Sequence, residues 1–285
     1  MSRLLAYIAN DPQRIRCALH PGREALRHEA ADGPLDGWGF GFHGGGEVLL
    51  QRRPRQHSGE LDFYELLGDL RTDVLIGHMR KATVGIVKND NTHPFRFRSW
   101  IFAHHGTVGR WEAVRAGLLE EIPDFLRRNI RGETDSEHLF HLFLGQLHRA
   151  GKLDDAHVAP EVAGRAMAEA LAVCDRLVGD GSSTLNMAAS NGRILLATAR
   201  GAPLHCSQIS GIHECPVCKE TPSGSGAMRH SARPFEHDHL RAVVLVGDDG
   251  LAAPRAPWTT VPEGSLVTVS HELRLEIAPL PATAT

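Results

Sequence analysis

No stretch of this chain approaches the ~20 consecutive apolar residues that a membrane-spanning helix requires. The apolar run near its start, Leu4-Leu5-Ala6-Tyr7-Ile8-Ala9, stops at Asn10-Asp11-Pro12. That is too short for the core of a signal peptide, so a cytoplasmic protein with no membrane partner is expected. A basic face or stripe is missing too. Gln51-Arg52-Arg53-Pro54-Arg55 and Arg127-Arg128-Asn129-Ile130-Arg131 are short and offset by nearby acids, and the formal net charge is −3. Nucleic acid is therefore not an expected partner. The five cysteines are odd in number and show no framework spacing, which fits a reducing compartment rather than a disulfide scaffold. Gly44-Gly45-Gly46 is followed by no Lys-Ser or Lys-Thr. It reads as a hairpin turn, not a phosphate loop, and no cofactor is expected. There is no internal repeat.

What is present is a mixed α and β pattern over 285 residues, enough for one large domain. β-rich runs fall at 3–9, 47–51, 74–78, 99–103, 185–189, 193–197, 242–246 and 265–269. Several are too apolar to alternate, which predicts strands buried on both faces. Thr134 with Glu137 forms a capping-box pattern ahead of Leu139, Phe140, Leu142, Phe143 and Leu147. Pro160 to Val178 carries a second helical period. Strands from both ends of the chain bracket these helices. One domain over 1–285 is expected, its sheets built from distant segments, with a loop excursion at about 201–239.

Ser2 gives the chain a hydroxyl one position after Met1, directly before the apolar run. If Met1 is removed, residue 2 carries both a nucleophile and a free α-amine, whose unperturbed pKa near ~7.7–8.0 suits a general base. Attack on an amide also needs donors for the developing oxyanion and groups to hold the substrate. Arg80 suits a carboxylate, Asp135 suits an ammonium, and Gly106 offers an unobstructed backbone N–H. Each has a plainer reading: Arg80 as a surface ion-pair partner, Asp135 as a helix cap, Ser2 as an ordinary residue.

Taken together, the ordered set Gly77-His78-x-Arg80-x-Ala82-Thr83-x-Gly85, Asn91-Thr92-His93-Pro94, His104-x-Gly106 and Asp135-Ser136-Glu137 resembles the class II glutamine amidotransferase domain of the N-terminal nucleophile hydrolases. Asp36-Gly37-Trp38-Gly39 and the segment from Trp258 to Leu266 resemble parts of its stand-alone members. Those members cleave γ-glutamyl amides, as in ergothioneine biosynthesis or glutathione degradation. The resemblance implies an α+β fold, a four-layer αββα sandwich with the nucleophile at the start of a buried strand. It implies that Arg80 holds the substrate carboxylate and Asp135 its ammonium. Thr83 and His93 would lie beside them, and Gly106 would serve the oxyanion. A small-molecule γ-glutamyl amide is the implied substrate, and a partner enzyme accepting ammonia is compatible with the family.

Two positions depart from the family pattern. Ser2 stands where the family has Cys, and His105 stands where its oxyanion motif has Asn. Ser2 reads as a natural serine nucleophile, an introduced substitution or a loss of catalysis. His105 replaces the missing amide if its ring N–H reaches the same point. The expectation is an amidohydrolase. The alternative is a catalytically impaired γ-glutamyl-binding or partner-regulating protein of the same fold. Cys215-Pro216-Val217-Cys218 is a CxxC with His205, Cys206 and His213 nearby. A zinc site is one reading, but a reduced loop without metal is the expectation. Cys17 and Cys174 read as small buried apolar residues, and His237 and His239 as loop histidines.

Overall fold

The apolar run after Ser2 is the centre of a sheet, and its length and apolarity are what a strand covered on both faces needs. The computed structural model describes residues 2–29, 33–54, 60–179, 182–220, 236–248 and 257–280. Its strands are β1 (Arg3–Ala9), β2 (Arg27–His28), β3 (Gly37–Gly44), β4 (Glu47–Arg53), β5 (Leu61–Asp62), β6 (Val74–Arg80), β7 (Phe95–Phe97) and β8 (Trp100–Thr107). They continue as β9 (Thr184–Ser190), β10 (Leu195–Ala199), β11 (Leu204–Ile212), β12 (His237–Asp248), β13 (Trp258–Thr260), β14 (Ser265–Val269) and β15 (Leu275–Pro279). The helices are α1 (Ile15–Leu19), α2 (Phe63–Leu67), α3 (Trp111–Glu120), α4 (Asp124–Arg127), α5 (Asp135–Arg149), α6 (Pro160–Val178) and α7 (Pro216–Glu220).

Two antiparallel sheets carry the architecture. One has seven strands in the order β13-β11-β12-β1-β6-β3-β4; the other has six, β15-β14-β10-β9-β8-β7. β1 lies between β12 and β6, with Leu5 opposite Val246 on one side and Gly77 on the other. Side chains alternate along β1. Leu4, Ala6 and Ile8 meet Ile101, Ala103, Ala188 and Ala197 between the sheets. Leu5, Tyr7 and Ala9 face Ile15, Leu19, Phe63 and Leu67 of the short helices on the outer side. On the far side of the six-stranded sheet, Trp100 and Phe102 pack against α3, α5 and α6 through Leu118, Phe140, Phe143 and Met167. Three apolar layers thus separate four layers of secondary structure, the expected αββα sandwich.

Local chemistry explains most boundaries. Thr134 Oγ1 accepts from the Glu137 N–H at 3.3 Å and caps α5. α6 opens with Pro160 at its first position and closes on Gly179 at φ +80°. Gly45 and Gly46, at φ +62° and +85°, turn β3 into β4, as the triple glycine suggests. The expected loop at 201–239 is corrected: 204–212 is a full strand pairing both β12 and β13, and 237–248 is the longest strand described. Polar and small residues in β11, such as Ser207, Ser210 and Gly211, masked its strand period. Residues 221–235 of that segment lie outside the described residues. No helix of the described residues is long and apolar enough to cross a membrane.

Candidate active site

Residues from five separate stretches of the chain converge where β1 begins. A cavity there is lined by Ser2, His78, Arg80, Lys81, Thr83, Val84, His93, His104, Gly106, Thr134, Asp135 and Ser136. Six of the seven residues singled out from the sequence are therefore brought together: Ser2, Arg80, Thr83, His93, Gly106 and Asp135. His105 is not among the lining residues. Along β8 it shares the inter-sheet face of Ile101 and Ala103, while His104 points the opposite way, toward α5. Met1 lies outside the described residues.

The half-buried Ser2 Oγ accepts from the Lys81 N–H at 2.9 Å and faces the Lys81 carbonyl at 3.3 Å. This anchors residue 2 to the end of β6, one position beyond Arg80. Arg80 is 3% exposed. Its Nη2 donates to the carbonyls of Val84 at 2.8 Å and Gly85 at 3.2 Å, while its buried Nη1 has no hydrogen-bond partner among the described residues. Burial lowers its pKa from the ordinary value, opposed by the charges of Asp36 and Asp135. Arg80 remains a cation with an unused donor.

Asp135 opens α5, where the helix dipole favours its negative charge. Its Oδ2 accepts from the Val108 N–H and its Oδ1 from the Ser136 N–H, at 2.8 and 2.9 Å. Two oxygens with about four acceptor sites leave capacity for an ammonium. Thr83 joins the lip of the cavity to the end of β8 through its hydroxyl, 2.8 Å from that of Thr107.

Gly106 is the position where side-chain absence is obligatory. Its φ is +142°, and a Cβ built there would lie 2.0 Å from the Thr184 carbonyl oxygen. His104 holds that same carbonyl, 3.0 Å from its Nε2. A carbonyl only accepts, so Nε2 carries the proton and Nδ1, 2.9 Å from the Ser136 hydroxyl, accepts. His104 is thus a positioning residue for the Gly106 backbone. His78 and His93 pack with ring centroids 4.2 Å apart and planes tilted by 42°, and no ring nitrogen of either has a hydrogen-bond partner among the described residues. Burial, reinforced by neighbouring imidazoles and Arg80, drives the pKa of both far below the usual histidine value, so both are neutral at pH 7. His78, His104, Thr134 and Ser136 went unselected in the sequence. Each sits inside a quoted motif, but only the fold shows which face it presents.

The CxxC expectation is corrected in its partners. His205 lies against the Thr260 hydroxyl, Cys206 packs in the inter-sheet layer, and the exposed His213 pairs with Asp238. The residues that do gather around Cys215 and Cys218 are Cys17 and His237.

A hydroxyl residue directly before the central strand of one of two stacked sheets thus shares a cavity with a buried cation, a buried acid and an obligatory glycine. The sequence model of the glutamine amidotransferases class-II matches residues 1–274, and the chain belongs to that family. It is 26% identical over 220 residues to a probable glutamine amidotransferase, DUG3, of Saccharomyces cerevisiae, covering 71% of this chain and 58% of that protein. It is 36% identical over 106 residues to the γ-glutamyl-hercynylcysteine sulfoxide hydrolase of Mycobacterium tuberculosis, covering 37% and 44%. The chain thus spans about half the length of the curated relatives it matches. A predicted glutamine amidotransferase of Pseudomonas aeruginosa superposes with a TM-score of 0.56 at 22% identity, over 96% of this chain and 98% of that one. A glutamine aminotransferase class-II domain protein of Silicibacter pomeroyi gives 0.55 at 21%, over 98% and 99%. Those two likenesses establish the fold.

Proposed function

We propose that this chain hydrolyses the γ-glutamyl amide bond of glutamine or a γ-glutamyl compound, with residue 2 as an N-terminal nucleophile. The observation that carries this reading is the gathering of a buried cation, a buried acid and an obligatory glycine around Ser2 in one cavity. Oγ of residue 2 attacks the amide carbon, and its proton passes to the α-amine of the same residue. The oxyanion takes the Gly106 N–H, with His105 as a second donor if its ring turns toward it. Collapse breaks the C–N bond as the α-ammonium returns the proton to the leaving nitrogen. Water, deprotonated by the same amine, then cleaves the ester and frees glutamate. This chemistry requires residue 2 to be the N terminus.

Arg80 would hold the substrate α-carboxylate and Asp135 its α-ammonium, with Thr83 and His93 shaping the pocket. The cavity now has about 20 Å³ of free space, room for about one water. A carboxylate accepting a bidentate pair from Arg80 competes with the Val84 and Gly85 carbonyls. Binding therefore displaces the 83–85 loop and opens the pocket. The γ-glutamyl hydrolase among the relatives supports the substrate class. A partner enzyme that accepts ammonia is a compatible elaboration.

The second reading is a γ-glutamyl-binding or partner-regulating protein that does not turn over. It is favoured by Ser2 and His105, the two departures from the family pattern. A serine hydroxyl depends wholly on its base, and loss of one oxyanion donor costs roughly 10²–10³ in rate. Intact mass spectrometry after treatment with a glutamine-like γ-diazoketone separates the two, once residue 2 is verified as the N terminus. The hydrolase reading expects a covalent adduct on Ser2. An adduct only on the Ser2→Cys variant supports the binding protein. No adduct on either discards the nucleophile altogether.

A further inference from the structure

At the opposite end of β1 from Ser2, four potential ligands meet from three parts of the chain. Cys17 comes from α1, Cys215 from the residue just before α7, Cys218 from within α7, and His237 from the first residue of β12. Their donor atoms all lie within 4.8 Å of one another. Cys17, Cys215 and His237 are buried and Cys218 is half-buried. No disulfide links the cysteines.

The spacing is informative. Cys17 Sγ lies 3.8 Å from Cys218 Sγ, far beyond a bonded pair at about 2.05 Å. His237 Nε2 lies 3.6 Å from Cys17 Sγ and 3.3 Å from Cys218 Sγ. A tetrahedron with zinc–sulfur bonds of about 2.3 Å and a zinc–nitrogen bond of about 2.0–2.1 Å has S···S edges near ~3.8 Å and S···N edges near ~3.5 Å. The three edges among Cys17, Cys218 and His237 match these closely, and Cys215 Sγ lies within 4.8 Å of each of the other donors. Cys215, whose carbonyl accepts from the Lys219 N–H at the start of α7, and Cys218 within that helix supply two corners, because positions i and i+3 at a helix start share a face.

We propose that Cys17, Cys215, Cys218 and His237 form a structural zinc site. Three thiolates and one imidazole are the donor set of closed, four-coordinate zinc, with no position left for water or substrate. The site would carry one net negative charge, and Arg14 is placed to offset it, its Nη1 3.9 Å from Cys218 Sγ. The His237 side chain also bonds to the Glu236 backbone, which fixes the ring. The metal ties α1 and α7 to β12 across more than 200 residues of chain. Since β12 is the direct neighbour of β1, the clamp braces the nucleophile's strand from its far end. This site needs nothing from the proposed hydrolysis and stands or falls separately.

The deciding measurement is elemental analysis of the full chain, purified without chelator, added metal or a polyhistidine tag. About one zinc per chain is expected, retained through dialysis. Cys218→Ser should reduce it to background, while Cys206→Ser, outside the cluster, should retain it. Should Cys218→Ser fail to fold, a mercurial thiol reagent is added to the unaltered protein and released zinc is read with a chromogenic indicator. Release in step with three thiols supports the site. Cobalt reconstitution should give thiolate-to-cobalt charge-transfer absorption with tetrahedral d–d bands. Zinc at background in freshly purified, folded protein, or a Cys17–Cys218 disulfide in place of metal, would overturn the proposal.

Discussion

Single residues at this site are constrained by physics that operates over a few ångströms. Gly106 has no tolerated replacement, because a methyl group would overlap the Thr184 carbonyl and the backbone sits at φ +142°. Gly106→Ala is expected to destabilise the fold by about 2 kcal/mol or more and to abolish labelling of residue 2. Urea denaturation alongside the diazoketone assay reads both effects. The buried histidines make a second prediction at this scale. Burial holds His78, His93, His104 and His138 below the ordinary pKa of 6.5 and moves His141 to about 4. Above pH 6.5 neither the folded nor the unfolded chain binds protons at these rings, and their contribution to stability is constant. Below it the unfolded chain takes up protons that the folded chain refuses, so stability falls with pH, and for His141 this continues down to about pH 4. Each such ring adds a slope of up to about 1.4 kcal/mol per pH unit. Denaturant midpoints measured from pH 8 to pH 5 should drop steeply below pH 6.5; a flat profile would show these imidazoles to be protonated in the fold.

At the scale of elements, α5 does two jobs. Its N terminus carries Thr134, Asp135 and Ser136 into the cavity, while its apolar residues Leu139, Phe140 and Phe143 lock it to the six-stranded sheet. The capping pattern in the sequence is half realised. Thr134 caps the Glu137 N–H, but the Glu137 carboxylate turns to the N–H groups of Arg131 and Gly132, at 3.0 and 2.6 Å, rather than to residue 134. It thereby fixes the loop that leads into the helix. Thr134→Ala should cost about 1 kcal/mol through the lost cap, and Thr134→Ser should recover most of it. If the alanine variant denatures at the same urea concentration as the parent, the cap is not a stabilising contact. β8 shows the same economy of form: alternate residues serve two layers, so His104 braces α5 while His105 faces the other sheet.

The whole molecule depends on how closely its two sheets approach. Between them stand small side chains, Ala6, Ala103, Ala188 and Ala197, each without measurable exposure. A layer this filled has no room for added methylenes. Ala188→Leu is expected to destabilise by about 1–3 kcal/mol through overpacking. It should also weaken labelling of residue 2, because the sheets carry Ser2 and Gly106 on opposite sides of the cavity. A thermal melt with the labelling assay tests the pair of effects; unchanged values for both would mean that the layer has slack.

Sequence alone determined the class of fold, the central strand after Ser2, both long helices and six of the twelve residues that line the cavity. Those signals are local or ordered along the chain: apolar runs, a threonine cap, glycine turns, motifs in fixed succession. What it could not determine is what distant segments do to one another. Strand β11 was hidden because polar His205 and Ser207 are buried on one face while Leu204 and Cys206 are buried on the other, which leaves no apolar alternation to read. The facing of His104 and His105 depends on the register of β8 against β9. Cys17 and His237 read as unrelated residues until β1 and β12 paired, because 220 positions separate them in the chain and 3.6 Å in the fold. Proximity of that kind is set by packing, which no single stretch of sequence encodes.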